Sequence, residues 1–210
     1  MQLTKKPGVI LDERFTQSAL DPRLRWLNPP PTWTVEPSLP ALVLTPAART
    51  DFWQQTHYGF RADNGPFLFA EIPGDFTLTT KVRSHPVHQY DQAGLMIRVD
   101  ANCWIKTAVE YELSGPAKLG VVITHQGFSD WSVQDFPHAS REIGLRIRKT
   151  ALDFTIEFSE KESGDWRLLR LAHLPIAAAA PLACGLYACC PKGDGFRAEF
   201  EFLEIVRNAD

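Results

Sequence analysis

Apolar and polar residues alternate along the stretch from Tyr90 to Tyr111, which predicts two neighbouring β-strands. Because side chains alternate across a strand, the apolar face of each strand is expected to pack on the core. The opposite face is polar and aromatic, a pattern typical of either a half-solvated surface or a binding surface. Its chemically distinctive members are Gln92, Arg98, Trp104, Lys106, Glu110 and Glu112.

The rest of the chain shows the same alternation in short runs rich in β-branched and aromatic residues. Turn sequences such as Pro73-Gly74 and 192–195 separate these runs, and no amphipathic helix is predicted. Many short strands without helices favour an all-β fold in which two antiparallel sheets pack as a jelly-roll sandwich. The length of 210 residues suits one such domain, which we expect to span 1–210. The predicted strand runs are 75–82, 119–124, 143–149, 152–158, 166–171, 184–188 and 198–206.

Aromatic residues are concentrated in a second segment, 50–65, with the sequence TDFWQQTHYGFRADNG. It contains Trp53, His57 and Tyr58, and Trp131 lies in a similar polar context further along the chain. Aromatic faces stack on the C–H side of sugar rings while polar neighbours bond the hydroxyls, so these residues are candidates for a ligand site. The alternative is that Trp53, Trp104 and Trp131 fill the core or seal an end of the sandwich.

Two carboxylates, Glu110 and Glu112, are expected on one strand face, about 6.5 to 7 Å apart at Cα. That spacing is compatible with the acid and nucleophile of a retaining glycosidase. A salt-bridged polar face, with Lys106 as a partner of Glu110, is the competing interpretation.

Composition and charge narrow the classes of partner. The net charge is -3, and no cluster of Lys or Arg predicts binding to nucleic acid or to an anionic membrane. No apolar run is long enough for a membrane span. The four cysteines and six histidines lack metal-ligand spacing, so no metal or cofactor is expected. Reduced thiols and the missing signal peptide favour a cytoplasmic location.

Four motifs carry a resemblance to a known family: TDFWQ..HYGF..DNG, DF.L...V, YDQAGLMIR.D...W.K..VE and SDWS. The chain resembles, from about Leu11 to Val206, a family of uncharacterised proteins that includes the fungal "regulation of enolase" protein. The resemblance implies a concanavalin A-like lectin/glucanase sandwich and an intracellular location, and it brings no settled activity. Glucanases of that fold use three acids in the pattern E-x-D-x-(x)-E, whereas Ser114-Gly115 occupy the third place here.

Three functions therefore remain open. The first is non-catalytic binding of a carbohydrate or other polar small molecule on the concave sheet face. The second is a cytoplasmic interaction or regulatory protein of the enolase-regulation type, with a protein partner. The third is a glycan hydrolase or lyase that uses Glu110 and Glu112.

Overall fold

The computed structural model describes residues 8–36, 38–57, 59–137, 142–160, 164–176 and 180–208. Its elements are all strands, as predicted from the alternation. The first nine are β1 (Val9–Glu13), β2 (Arg25–Leu27), β3 (Thr32–Glu36), β4 (Ala41–Thr45), β5 (Phe52–Gln54), β6 (Arg61–Asp63), β7 (Phe67–Ile72), β8 (Phe76–His85) and β9 (Gln92–Asp100). The remaining eight are β10 (Cys103–Glu110), β11 (Ala117–His125), β12 (Phe128–Phe136), β13 (Glu142–Thr150), β14 (Asp153–Ser159), β15 (Arg167–His173), β16 (Leu182–Cys189) and β17 (Arg197–Arg207).

Two large antiparallel sheets form the sandwich, which confirms the predicted fold class. The front sheet has the order β12-β11-β10-β9-β16-β7-β2. The back sheet has the order β15-β14-β13-β8-β17-β4-β3, and β1 pairs with β17. Strands β5 and β6 form a separate two-stranded hairpin. No helix long and apolar enough to cross a membrane occurs among the described residues.

The main core lies between the two sheets and is made of inward-facing aliphatic and aromatic side chains. Leu95 and Ile105 of the front sheet belong to it, as do Leu145 and Ile205 of the back sheet. Leu95 and Ile105 lie on the apolar faces that the alternation predicts for their strands. Burial of such faces is the main driving force for the stacking of the two sheets.

A second apolar cluster lies on the outer face of the front sheet. Trp104 and Met96 of the sheet pack there with Phe52 and Trp53 of the β5–β6 hairpin and with Tyr187 of β16. The hairpin thus covers the face of β9 and β10 that the sequence predicts to be polar and open. The central strands of the front sheet are therefore buried on both sides.

Candidate functional site

A cleft of about 840 Å³ opens between the β5–β6 hairpin and the outer face of the front sheet. Its lining combines four aromatic side chains, several cationic side chains and a deeply placed carboxyl group. The size matches that of small-molecule sites in proteins. The lining residues used below are Arg49, Asp51, Trp53, Phe60, Arg61, Asp63, Gln89, Tyr90, Gln92, Lys106, Glu110, Trp131 and Lys192.

Two ion pairs hold the hairpin against the sheet. Lys106 Nζ on β10 lies 3.1 Å from Asp51 Oδ1, just before β5. Arg98 on β9 donates two hydrogen bonds to the carboxylate of Asp63 at the end of β6, at 2.7 and 2.8 Å. The guanidinium and ammonium groups that the sequence places on an open face thus find carboxylates on the hairpin. This pairing is what permits their burial.

Hydrogen bonds to strand β12 and to neighbouring loops fix the hairpin further. The backbone N–H of Gln54 donates to Ser129 Oγ at 2.9 Å, and the side chain of Gln55 donates to the carbonyl of Gly127 at 2.9 Å. On the other side, Asn28 donates to the carbonyls of Asp63 and Gly65 at 3.0 and 3.2 Å. The cleft wall is therefore attached to the sandwich at both ends of the hairpin.

Glu110 is the chemically unusual group of the cleft. The residue is 8% exposed, and its carboxyl group forms no hydrogen bond with any described residue. Burial raises the pKa of Glu110 to about 7, against the opposing attraction of Lys106, and the charges of Asp51 and Glu112 raise it further. At neutral pH this carboxyl can therefore either accept or donate a hydrogen bond to a molecule in the cleft.

Lys106 remains a cation in this environment. Burial alone would lower the pKa of its ammonium group, but the carboxylates of Asp51 and Glu110 raise it above the ordinary value. Behind it, the Tyr187 hydroxyl donates to Gln92 Oε1 at 3.0 Å, and Gln92 Nε2 donates to the carbonyl of Tyr90. The floor of the cleft is thus a charged and hydrogen-bonded layer resting on the second apolar cluster.

The structure brings five of the predicted site residues together in the cleft: Trp53, Gln92, Lys106, Glu110 and Trp131. Trp53 and Trp131 also line a second, more open groove together with His57. Trp53, Gln92 and Lys106 are buried. This corrects the expectation that they lie on an outward face or in an exposed loop. Tyr58 lies outside the described residues.

Besides His57, three predicted residues do not line the cleft. Trp104 is 1% exposed, and its indole N–H donates to the carbonyl of Ala101, so it is part of the second apolar cluster. Arg98 is committed to Asp63. Glu112 follows the end of β10, accepts a hydrogen bond from Gln89 at 2.9 Å, and lines a different cavity with Tyr111 and Glu142. Glu110 and Glu112 therefore do not face each other across one substrate position.

Sequence reasoning missed the residues that the hairpin and loops contribute: Arg49, Asp51, Phe60, Arg61, Gln89, Tyr90 and Lys192. Asp51, Phe60 and Arg61 lie inside the aromatic segment 50–65, where their polar or aromatic character was visible. Their position over β10 was not visible, because Lys106 and Asp51 are 55 residues apart in the chain.

The model of the family described as "Protein of unknown function (DUF1349)" matches residues 26–207. The chain belongs to this family. A protein of Saccharomyces cerevisiae (strain ATCC 204508 / S288c) called "Regulation of enolase protein 1" is 34% identical over 177 residues, which cover 83% of this chain and 85% of that protein.

Solved structures agree with the concanavalin A-like sandwich. A functionally unknown protein from Saccharomyces cerevisiae has a TM-score of 0.81 and 32% identity, covering 90% of this chain and 98% of that chain. The GH43 protein BlXynB from Bacillus licheniformis has a TM-score of 0.75 and 16% identity, covering 99% of this chain and 41% of that longer chain. At this identity the second likeness shows the fold alone.

Proposed function

We propose that the cleft binds a carbohydrate or a closely related polar small molecule without catalysis. The observation that carries this proposal is the Glu110 carboxyl, which lies deep in an open cleft beside the buried ammonium group of Lys106. A hydroxyl group of a ligand in the cleft would find a hydrogen-bonding partner in this carboxyl.

The aromatic part of the lining supports a sugar as the ligand. Trp53 and Phe60 stack with ring centroids 6.3 Å apart and planes inclined by 16°, and Trp131 lines the same cleft. Such surfaces suit the C–H face of a pyranose, while Glu110 and Gln89 offer polar atoms for its hydroxyl groups. The ligand would therefore be held by apolar and polar contacts together.

The charge of the rim favours an acidic sugar over a neutral one. Arg49, Arg61 and Lys192 line the cleft and form no ion pair with any described residue. Asp51 and Asp63, by contrast, are paired with Lys106 and Arg98. A carboxylate or phosphate on the ligand would meet these unpaired cations.

A glycan array that contains neutral and acidic saccharides, followed by calorimetric titration of the best ligand, tests this function. Glu110→Gln should weaken binding by at least about tenfold, because a hydrogen bond to a charged group contributes roughly 1.5 to 3 kcal/mol. Arg61→Ala should weaken the binding of acidic saccharides more than that of neutral ones.

Arg148→Ala is the matched control, since Arg148 is an exposed arginine on the back sheet that pairs with Glu157. It should leave affinity unchanged. Equal binding by the wild type, Glu110→Gln and Arg61→Ala would move any ligand site away from the cleft, and no binding to any saccharide would refute the carbohydrate proposal.

The second candidate is a regulatory protein that acts through a protein partner, as the name of the yeast relative suggests for that protein. Its structural support is a set of exposed apolar side chains on the two edge strands β12 and β15, which Arg170 joins through Ser132 and Asp130. They are Phe128, Val133, Leu168 and Leu171. Calorimetric titration with purified enolase is the direct test, and Leu171→Asp should abolish any binding through this edge. Titration without heat of binding would remove enolase as the partner.

A cytoplasmic location belongs to the same proposal. All four cysteines are free thiols, and the adjacent pair Cys189 and Cys190 is fully buried, which suits a reducing compartment.

A further inference from the structure

Three side chains of types that can bind a metal ion meet at the end of the front sheet, outside the cleft described above. They are His88, Asp91 and Cys190, and their ligand atoms all lie within 4.8 Å of one another. His88 Nδ1 is 3.7 Å from Asp91 Oδ2 and 4.0 Å from Cys190 Sγ. The residues come together because Asp91 directly precedes β9 and Cys190 directly follows β16, its antiparallel neighbour.

Asp91 has a carboxylate oxygen that the protein leaves unsatisfied. The residue is 1% exposed. Oδ2 accepts hydrogen bonds from the backbone N–H groups of Val87 and His88, both at 2.8 Å, whereas Oδ1 is buried without a hydrogen-bond partner among the described residues. The Cys190 thiol can donate a hydrogen bond to this carboxylate, and a metal ion that displaces the thiol proton would be bound by both groups.

Cys190 is surrounded as a metal-bound thiolate is in other proteins. The backbone N–H of Gly195 donates to Sγ at 3.2 Å. Hydrogen bonds to a ligating sulfur are a regular outer-shell feature of thiolate metal sites.

The loop after Cys190 is shaped around the imidazole of His88. A Cβ atom at Gly193 would lie 2.0 Å from His88 Cγ and Nδ1, so the backbone touches the ring directly. This contact leaves space for no side chain at position 193. It also fixes the ring with Nδ1 near the sulfur of Cys190.

We propose that His88 Nδ1, a carboxylate oxygen of Asp91 and Cys190 Sγ form a binding site for a divalent transition-metal ion of the zinc class. Imidazole, carboxylate and thiolate are ligands that this class accepts together, whereas calcium and magnesium are bound by oxygen atoms. Metal–ligand distances of about 2.0 to 2.3 Å require only a modest contraction of the cluster, and water supplies the fourth ligand.

The ion would tie the loop that carries Lys192 to the start of β9. Gln89, Tyr90, Pro191 and Lys192 line the cleft and are close neighbours in sequence of the three ligands. Metal binding would therefore order one rim of the cleft. The metal site itself does not depend on what the cleft binds.

Cobalt(II) titration of the reduced, metal-free full chain tests the site, because cobalt(II) bound to a thiolate shows a sulfur-to-metal charge-transfer band. The wild type should develop this band with one cobalt per chain, and zinc should abolish it by displacement. His88→Gln and Cys190→Ser should each lose the band or weaken cobalt binding by at least tenfold.

Cys103→Ser and His125→Gln are the matched controls, since neither residue belongs to the cluster, and both should titrate as the wild type does. Cys190 is fully buried, so circular dichroism must first show that Cys190→Ser folds. His88 is partly exposed and decides the matter if that variant does not fold. A wild type without the band, a His88→Gln variant that binds cobalt with the band and the affinity of the wild type, or cobalt bound without sulfur ligation would overturn the proposal.

Discussion

At the scale of single residues, Glu110 determines how the site responds to pH. Its folded-state pKa of about 7 lies above the ordinary value of 4.5, chiefly because the carboxyl is buried. The protonated form is therefore favoured by folding. The stability associated with this proton is fully present below about pH 4.5 and is lost as the pH rises to about 7.

Glu110→Gln should consequently stabilise the protein at pH 8, where the wild type carries a buried charge. The gain should be on the order of 3 kcal/mol, and the shifted pKa already includes the attraction of Lys106. At pH 4.5 the two proteins should be almost equally stable, since both side chains are then neutral. Urea unfolding at the two pH values measures the difference. A variant that is less stable than the wild type at pH 8 would show that ionised Glu110 is stabilised by its surroundings.

At the scale of elements, the β5–β6 hairpin depends on buried charge pairs. Lys106 is 2% exposed, and Asp51 is its partner. Loss of one member of a buried pair leaves the other charge uncompensated.

Lys106→Met and Asp51→Asn should each therefore cost about 3 to 5 kcal/mol of unfolding free energy. The double variant should cost clearly less than the sum of the two, because neither charge is then left behind. Chemical denaturation of all four proteins gives this coupling energy. Lys118→Met is a suitable control, since Lys118 pairs with Asp135 in a solvent-accessible position and should change stability little. Additive effects of Lys106→Met and Asp51→Asn would contradict a direct pairing.

The strands could be predicted because each one repeats a local pattern. Alternation in β9 and β10 identifies the face that meets Leu145 across the core, and neither strand needs distant information for this. That the β5–β6 hairpin covers their other face could not be predicted in the same way. From the local sequence, Arg98 and Lys106 are predicted to be solvated charges. Their partners Asp63 and Asp51 lie 35 and 55 residues away in the chain, beyond the reach of a local pattern.

The same limit explains the errors within the site. The alternation predicts that β10 continues to Glu112, but the strand ends at Glu110, and Glu112 lines another cavity. The cluster of His88, Asp91 and Cys190 has no spacing signature, because two ligands precede β9 and the third follows β16. Pairing between strands brings such residues together, and pairing is a property of the fold.

At the scale of the whole molecule, the two-sheet sandwich and the β5–β6 hairpin are separate parts. The two sheets are joined by their shared core, whereas the hairpin contributes no strand to either sheet. It rests on the front sheet through apolar contacts and the pairs Lys106–Asp51 and Arg98–Asp63.

Because of this separation, the β5–β6 hairpin can be replaced independently of the two sheets. Arg61 and Phe60 can change without disturbing a single backbone hydrogen bond of the sandwich, provided that Asp51 and Asp63 remain to anchor the hairpin. Under the proposed function, changes confined to this segment would alter what the cleft binds while the scaffold stays the same. For protein engineering, the segment between the two anchoring aspartates is the natural place to install a new specificity.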